Sequence, residues 1–234
     1  MPPFNCSAGY TGYGHISGTD PCGRFVENGI ITFSYDPICV GTRREEGRDF
    51  YDFNPGWSLM GKMAADALHA ADAVLKRDEV DRRRIFLVGY AMGALAALTA
   101  AALDKSGRIA GVACIAGLTP FRSDSPEKGT GGLARYSMLH GLIPRMGMFI
   151  GREKEVPVDL EEIISCVVPG RVLIIAPKYD RHASYCDLQE AMVKAGRCPE
   201  SRGRPGSLKF ITYDDWNRLT DPVLDEVAEW VKNG

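Results

Sequence analysis

One short segment of the sequence combines a turn with a position suited to a reaction site. The stretch Gly89-Tyr90-Ala91-Met92-Gly93 stands between the apolar run Arg84–Tyr90 and a run rich in Ala and Leu. A strand that turns sharply into a helix exposes the side chain at the turn, and the free N–H groups of the first helical turn point toward a ligand. Such a turn predicts covalent chemistry when the exposed residue is Ser or Cys. This chain has Ala91 there, and its methyl group cannot attack a carbonyl.

Two polar residues follow a later apolar run. Asp180 and His182 come just after the run Arg171–Pro177. Ligands of open α/β sheets bind at the carboxyl ends of the strands. We therefore expect these side chains to lie at the same edge as Ala91.

The elements that would position these residues alternate along the chain. The predicted strands are Gly29–Asp36, Arg84–Tyr90, Ile109–Gly117, Arg171–Pro177 and, as a half-polar edge strand, Leu208–Tyr213. The predicted helices are Trp57–Lys76, Met92–Leu103, Leu160–Val167, Ala183–Ala195 and Val223–Lys232. Continuous apolar runs indicate strands covered on both faces. The sequence predicts an α/β fold, a doubly wound and mainly parallel sheet with helices on both faces, formed by one domain over residues 1–234 with an excursion at about 120–157 across the carboxyl end of the sheet.

Five segments carry a family resemblance that runs from about Gly9 to the C-terminus: FVENGIITFSYDPICVGTR, the helical stretch Trp57–Leu75, VGYAMGALAAL, LIIAPKYDRHA and YDDWNRLTDPVLDEVAEWV. The chain resembles the α/β-hydrolase superfamily, and within it the acetyl-xylan-esterase, dienelactone-hydrolase and prolyl-peptidase-like esterases of bacteria. The resemblance implies a nucleophile, an acid and a base in that order, at Ala91, Asp180 and Asn217. Only the acid is retained.

The same resemblance implies oxyanion-hole and pocket residues. These are Tyr90 and Met92 beside the turn, and Gly12 and His15 in the Gly-rich segment GYTGYGHISG. A backbone N–H in that segment is expected to serve as the second donor to a developing oxyanion. An ordinary Gly-rich turn is the alternative interpretation.

The two lost residues carry the essential steps of acyl transfer. A hydroxyl must attack the carbonyl, and an imidazole must take its proton. Ala91 is interpreted as a deliberate Ser-to-Ala change, as the mark of a natural pseudoenzyme, or as a chance match in an unrelated α/β protein. His182 is either a relocated base or a solvated loop histidine. The chain as written is expected to be nearly inert toward esters.

Asp180 has two interpretations that a structure can distinguish. As the retained acid, its carboxylate should point toward Ala91 and Asn217, and Asn217 should donate an amide hydrogen bond in place of the imidazole. As a helix cap, the carboxylate should accept hydrogen bonds from the amides of Ala183 or Ser184.

The resembled fold has three strands before the one predicted at Gly29–Asp36, and the third lies in the middle of the sheet. The 28 residues before Gly29 contain no credible apolar strand. Either Gly29–Asp36 pairs directly with Arg84–Tyr90, or another chain supplies the strand, or the chain is a fragment of a longer protein. An open strand edge invites pairing with another chain, so a homo-oligomer or a partner strand is a predicted interaction.

Composition and short motifs bear on the partners, the compartment and the cofactors of the protein. Lys and Arg total 28 against 30 Asp and Glu, a net charge of −2, so no basic field favours nucleic acid or anionic lipid. Seven scattered cysteines without a C-x-x-C pair indicate reduced thiols, and the N-terminus lacks the pattern of a signal peptide, so a cytoplasmic protein without a membrane anchor is expected. Neither a cofactor nor a metal is predicted, because the sequence has no dinucleotide fingerprint and no cluster of ligand residues.

The residues and the resemblance together leave two functions. The first is a carboxylic ester hydrolase scaffold for small or carbohydrate-linked esters, inactive or nearly so because of Ala91. The second is a non-catalytic binding or assembly subunit built on the same fold. A small-molecule ester or carbohydrate-like ligand is the expected partner of the site.

Overall fold

The structure is a computed structural model that describes residues 19–167, 170–197 and 207–234. Its helices are α1 (Pro21–Glu27), α2 (Phe50–Phe53), α3 (Leu59–Val74), α4 (Met92–Leu103), α5 (Leu160–Cys166), α6 (Tyr185–Gly196) and α7 (Asp221–Lys232). Its strands are β1 (Ile85–Tyr90), β2 (Ile109–Ile115), β3 (Arg171–Pro177) and β4 (Leu208–Tyr213). The predicted helices and the last four predicted strands are present, with small shifts at their ends.

The four strands form one sheet in the order β1-β2-β3-β4, and every neighbouring pair is parallel. Strands in this arrangement need crossover connections, which α4, α5 and α6 provide. The half-polar β4 lies at an edge of the sheet, as predicted. The parallel α/β architecture is confirmed.

Helices cover both faces of the sheet. Alternate residues of β2 and β3 enter two separate apolar cores, since neighbouring side chains of a strand point to opposite faces. Val112 and Ile174 pack in the core with α3, α4, α5 and α6. Ala113 and Leu173 pack in the core with Phe25 of α1 and the inner face of α7. This double covering explains why the strands are apolar throughout.

The prediction of a strand at Gly29–Asp36 is wrong. Residues 30–36 have no regular secondary structure in the described chain, and the segment makes no ladder with β1. A cavity of about 190 Å³ lies between residues 30–34 and β1. Ile31 and Phe33 are 64% and 60% exposed. An apolar run becomes a strand only where a neighbouring edge lies within hydrogen-bonding distance, and here the cavity separates the two.

The excursion between β2 and α5 consists of short helical turns rather than long elements. They are the 3₁₀ turns Phe121–Ser123, Pro126–Lys128, Pro144–Phe149 and Glu153–Glu155 and the π-helical turn Arg135–Leu139. The buried Asp159 anchors the start of the excursion, because its carboxylate accepts from the N–H groups of Phe121 (2.5 Å) and Arg122 (3.1 Å). The same carboxylate caps α5, and Glu162 completes the capping box.

Candidate functional site

The turn between β1 and α4 holds Ala91 in a strained backbone conformation. Its φ of 52° and ψ of −118° lie outside the regions that a residue with a Cβ atom ordinarily adopts. Such a conformation costs ~1–3 kcal/mol and persists only where the surroundings impose it. The Ala91 N–H donates to the carbonyl of Ile115 at 2.8 Å, and the Ala91 carbonyl accepts from the N–H of Ala94 at 2.9 Å. The backbone therefore has the sharp strand-to-helix turn that the sequence predicts.

Glycines make room for this turn. A Cβ atom on Gly89 would lie 2.2 Å from the carbonyl oxygen of Gly93, so the G-x-x-x-G spacing is a steric requirement. Gly117, just after β2, approaches from the other side, and a Cβ atom there would lie 2.7 Å from the Ala91 Cα atom. Gly117 was not among the predicted site residues. Its position at the end of the apolar run Ile109–Gly117 was the signal that could have identified it.

The Asp180 carboxylate connects three segments of the site. Its Oδ2 atom accepts from the backbone N–H of Gly117 at 2.9 Å and from the Asn217 side-chain amide at 3.0 Å. Its Oδ1 atom accepts from the backbone N–H of His182 at 2.8 Å. Since Gly117 also touches Ala91, Asp180 and Asn217 belong to the same small cluster as the turn.

Asp180 does not cap the next helix. Ser184 has that role, because its Oγ atom accepts from the N–H of Asp187 at 3.4 Å. The geometry therefore agrees with the first of the two interpretations, in which the Asp180 carboxylate contacts Asn217 and lies beside the Ala91 turn.

Asn217 is fixed from two directions. The Tyr90 hydroxyl donates to its backbone carbonyl at 3.1 Å, and its own amide donates to Asp180. The Oδ1 atom of Asn217 is buried and accepts no hydrogen bond from the residues that the structure describes. A carboxamide neither accepts nor releases a proton near neutral pH, so this side chain orients the carboxylate but offers no base.

His182 contributes its backbone rather than its ring. The residue is exposed, and no described hydrogen bond joins its imidazole to Ala91, Asp180 or Asn217. Its N–H donates to Asp180, and its carbonyl accepts from the guanidinium of Arg135. The side chain that contacts Asp180 is that of Asn217, so the geometry gives the relocated-base interpretation no support.

Met92 carries the N–H group that is predicted to face an oxyanion. It is the first residue of α4, where N–H groups have no intrahelical acceptor. Its N–H has no acceptor in the part of the chain that the structure describes. Gly12 and His15 lie outside the described residues, so the second predicted donor is not placed.

A buried ion pair supports the loop that carries Asp180. Arg135, in the π-helical turn, donates to Asp124 at 2.9 Å, to the Tyr136 hydroxyl at 2.8 Å and to the His182 carbonyl. Asp124 is fully buried, and burial raises the pKa of its carboxyl despite the Thr130 and Arg135 donors that oppose the shift. This pair was not predicted, because nothing local in the sequence shows that two charges 11 residues apart meet in the interior.

Other groups in the described chain do not add to this chemistry. Two cavities, of about 190 and 140 Å³, lie against β1. Neither cavity is lined by Ala91, Asp180 or Asn217. Among the residues from 19 onward that the structure places, no three His, Cys, Asp or Glu side chains come together as metal ligands. None of the helices in those ranges is both long and apolar enough to cross a membrane.

Solved structures identify the fold. The chain is similar to the glucuronoyl esterase of Solibacter usitatus (TM-score 0.63, 19% identity), covering 75% of this chain and 48% of that one. It is also similar to an esterase of Pyrococcus furiosus (TM-score 0.64, 14% identity; 100% and 81% covered). The third is the α/β hydrolase GrgF of Penicillium sp. sh18 (TM-score 0.61, 16% identity; 100% and 88% covered). The chain has the α/β-hydrolase fold.

Sequence comparison gives a match over less than half of the chain. No protein-family model matches the chain. A stretch of 104 residues is 35% identical to the thiohydrolase apmlB of Arthrinium phaeospermum, covering 44% of this chain and 31% of that protein. The hydrolase-fold chain thus spans about a third of this curated relative and about half of the glucuronoyl esterase.

Proposed function

We propose that the chain is an ester- or thioester-hydrolase scaffold in which Ala91 occupies the nucleophile position, so that it does not turn over substrate as written. The observation that carries the proposal is the strained backbone of Ala91, at φ 52° and ψ −118°, between β1 and α4. Alanine gains nothing from such a conformation, whereas a nucleophile there is exposed above the sheet and beside the free N–H of Met92.

The reaction class comes from the fold and from the names of the similar proteins, which include glucuronoyl esterases and a thiohydrolase. In the proposed chemistry a hydroxyl at position 91 attacks the acyl carbon, and a base at position 217, oriented by Asp180, takes its proton. The Met92 N–H stabilises the oxyanion, and the leaving alcohol or thiol departs with the proton. Water then hydrolyses the acyl-enzyme by the same steps. This chain lacks the hydroxyl and the base, and retains the carboxylate and the N–H.

The experiment restores both missing groups. Ala91→Ser combined with Asn217→His should hydrolyse p-nitrophenyl acetate, a benzyl glucuronate ester or an acyl thioester, whereas the unaltered chain should not exceed the buffer rate. Removing the carboxylate, as Asp180→Asn in the restored variant, should lower the rate by about 10⁴-fold, the size of the effect of the equivalent change in a working triad.

Ala116→Ser with Asn217→His is the matched control. Ala116 also has a positive φ, 57°, and directly follows the neighbouring strand β2. A hydroxyl there should give no gain in rate.

A second function is favoured by the identity of Asn217. Position 91 lacks a hydroxyl and position 217 lacks a base, whereas the contact between Asp180 and position 217 is present at 3.0 Å. A non-catalytic binding subunit would keep such a contact for its shape alone. If the restored variant folds normally and is no faster than the Ala116→Ser control, the hydrolase proposal is wrong and the binding function is favoured.

A further inference from the structure

Two exposed aromatic side chains stand directly beside the two contacting residues of the candidate site. Tyr179 precedes Asp180 in the loop after β3, and Trp216 precedes Asn217 in the loop after β4. Their ring centroids are 6.0 Å apart with an angle of 50° between the planes. Tyr179 is 53% exposed and Trp216 is 57% exposed. More than half of each side chain is therefore open to solvent, next along the chain to Asp180 and Asn217.

The two loops hold this pair in place. The Tyr179 N–H donates to the Asp215 carbonyl at 3.1 Å, and the Trp216 N–H donates to the Asp215 carboxylate at 2.7 Å. Arg218 donates to both oxygens of the same carboxylate, at 2.7 and 2.8 Å. A pair ordered by backbone hydrogen bonds loses little conformational freedom when a ligand binds.

Charged residues lie close to the two aromatic residues along the chain. Lys178 and Asp214 form an ion pair at 2.8 Å, and the side chains of Asp214 and Arg218 are 68% and 65% exposed. Exposed aromatic faces with charged donors and acceptors nearby match a ligand with an apolar face and hydroxyl groups around its rim. Two rings are too small for a stable protein interface, which buries ~800 Å² on each partner.

We infer that Tyr179 and Trp216 form a stacking platform for a pyranose ring, so that the site takes carbohydrate-bearing ligands. A pyranose presents axial C–H groups on one face and hydroxyls around its edge, whereas an aryl group has no hydroxyl rim. The inference rests on the proposal that Asp180 and Asn217 mark the ligand site. It adds the residues that select a carbohydrate-like ligand.

Saturation-transfer NMR on the unaltered chain tests the platform without any turnover. The probe is methyl β-D-glucopyranoside, sorbitol is the acyclic polyol control, and benzyl alcohol is the aryl control. The glycoside should receive saturation through the C–H protons of its apolar face. Trp216→Ala and Tyr179→Ala should each weaken its binding by about fivefold or more, which corresponds to ~1 kcal/mol at 25 °C.

Trp57→Ala provides a matched control, because Trp57 is 53% exposed and is not one of the two platform residues. Trp216→Phe retains a ring and should retain most of the binding, which separates loss of stacking from loss of folding. Equal transfer to sorbitol, a response to benzyl alcohol alone, or unchanged binding in Trp216→Ala would each overturn the inference.

The two proposals fail separately. Glycoside binding together with an inactive Ala91→Ser/Asn217→His variant would reject the hydrolase proposal and keep the platform. An active restored variant without glycoside binding would reject only the platform.

Discussion

The side-chain amide of Asn217 donates to the Asp180 carboxylate over 3.0 Å, at the point where the loops after β3 and β4 meet. The carboxylate accepts two more hydrogen bonds, from the N–H groups of Gly117 and His182. Asp180 therefore joins three loops at the carboxyl edge of the sheet. Its contribution to stability can be measured separately from any contribution to a reaction.

Asp180→Ala should destabilise the fold by ~1–3 kcal/mol, because part-buried donors would lose their acceptor. Urea unfolding followed by circular dichroism measures the change. Asp78→Ala is the control, since Asp78 is exposed, and it should shift stability by less than about 0.5 kcal/mol. Equal midpoints for the two variants would show that the three hydrogen bonds contribute nothing.

Gly117→Ala should destabilise the chain more than a positive φ alone explains. Gly117 has φ +72°, and its added Cβ atom would lie 2.7 Å from the Ala91 Cα atom. Gly129 has nearly the same φ, +73°, with no atom within 4 Å of its added Cβ atom. Gly129→Ala should therefore lower the free energy of unfolding only by the conformational cost of ~1 kcal/mol. Gly117→Ala should lower it by that amount and by an overpacking cost of ~1–3 kcal/mol.

Thermal or urea unfolding of both glycine variants gives the comparison. The difference between them isolates the contact with Ala91. If Gly117→Ala is no worse than Gly129→Ala, the turn is not held by close packing.

The sequence predicted the sheet because four of its strands alternate with helices and carry continuous apolar runs. It failed at Gly29–Asp36, whose composition resembles that of β1 but which has no ladder partner in the described chain. An apolar composition indicates that a segment is partly buried. It does not indicate whether the edge of a neighbouring strand lies near enough for backbone hydrogen bonds, because that depends on the assembled sheet.

Proximity could be predicted for residues that follow strands directly. Ala91 and Asp180 were expected together because parallel strands bring their carboxyl ends to one edge, and Asn217 was implied by the family resemblance. Arg135 was not found, because its partner Asp124 and the carbonyl of His182 come together only through the path of the excursion. Tertiary contacts between loops leave no periodic signal in a sequence.

Arg135→Met should destabilise the chain by ~3–5 kcal/mol, because it leaves Asp124 buried without its counter-charge. This loss of folding stability should grow as the pH rises. Burial already raises the pKa of Asp124, and removing the cation raises it further. The folded variant then retains a proton that the unfolded chain releases near the ordinary value of 3.8, so its unfolding free energy falls as pH rises from that value toward the folded pKa.

Urea unfolding at pH 4 and pH 8 measures this dependence. Arg82→Met is the control, because Arg82 is exposed, and its stability change should be small at both values. A loss in Arg135→Met that is equal at the two pH values would contradict an ionisation of Asp124 and leave only lost packing.

Cysteine reactivity tests whether a thiolate replaces the missing hydroxyl. Burial raises the pKa of the Cys39 and Cys114 thiols, and Cys114 is fully buried, whereas Cys166 and Cys186 are exposed. Since the thiolate is the reactive form, iodoacetamide at pH 8 should alkylate Cys166 and Cys186 at least about tenfold faster than Cys114. Peptide mapping by mass spectrometry follows each site, and urea, as the control, should bring the four rates together. Rapid alkylation of Cys39 in the folded chain would instead reveal an activated thiol and contradict this order of reactivity.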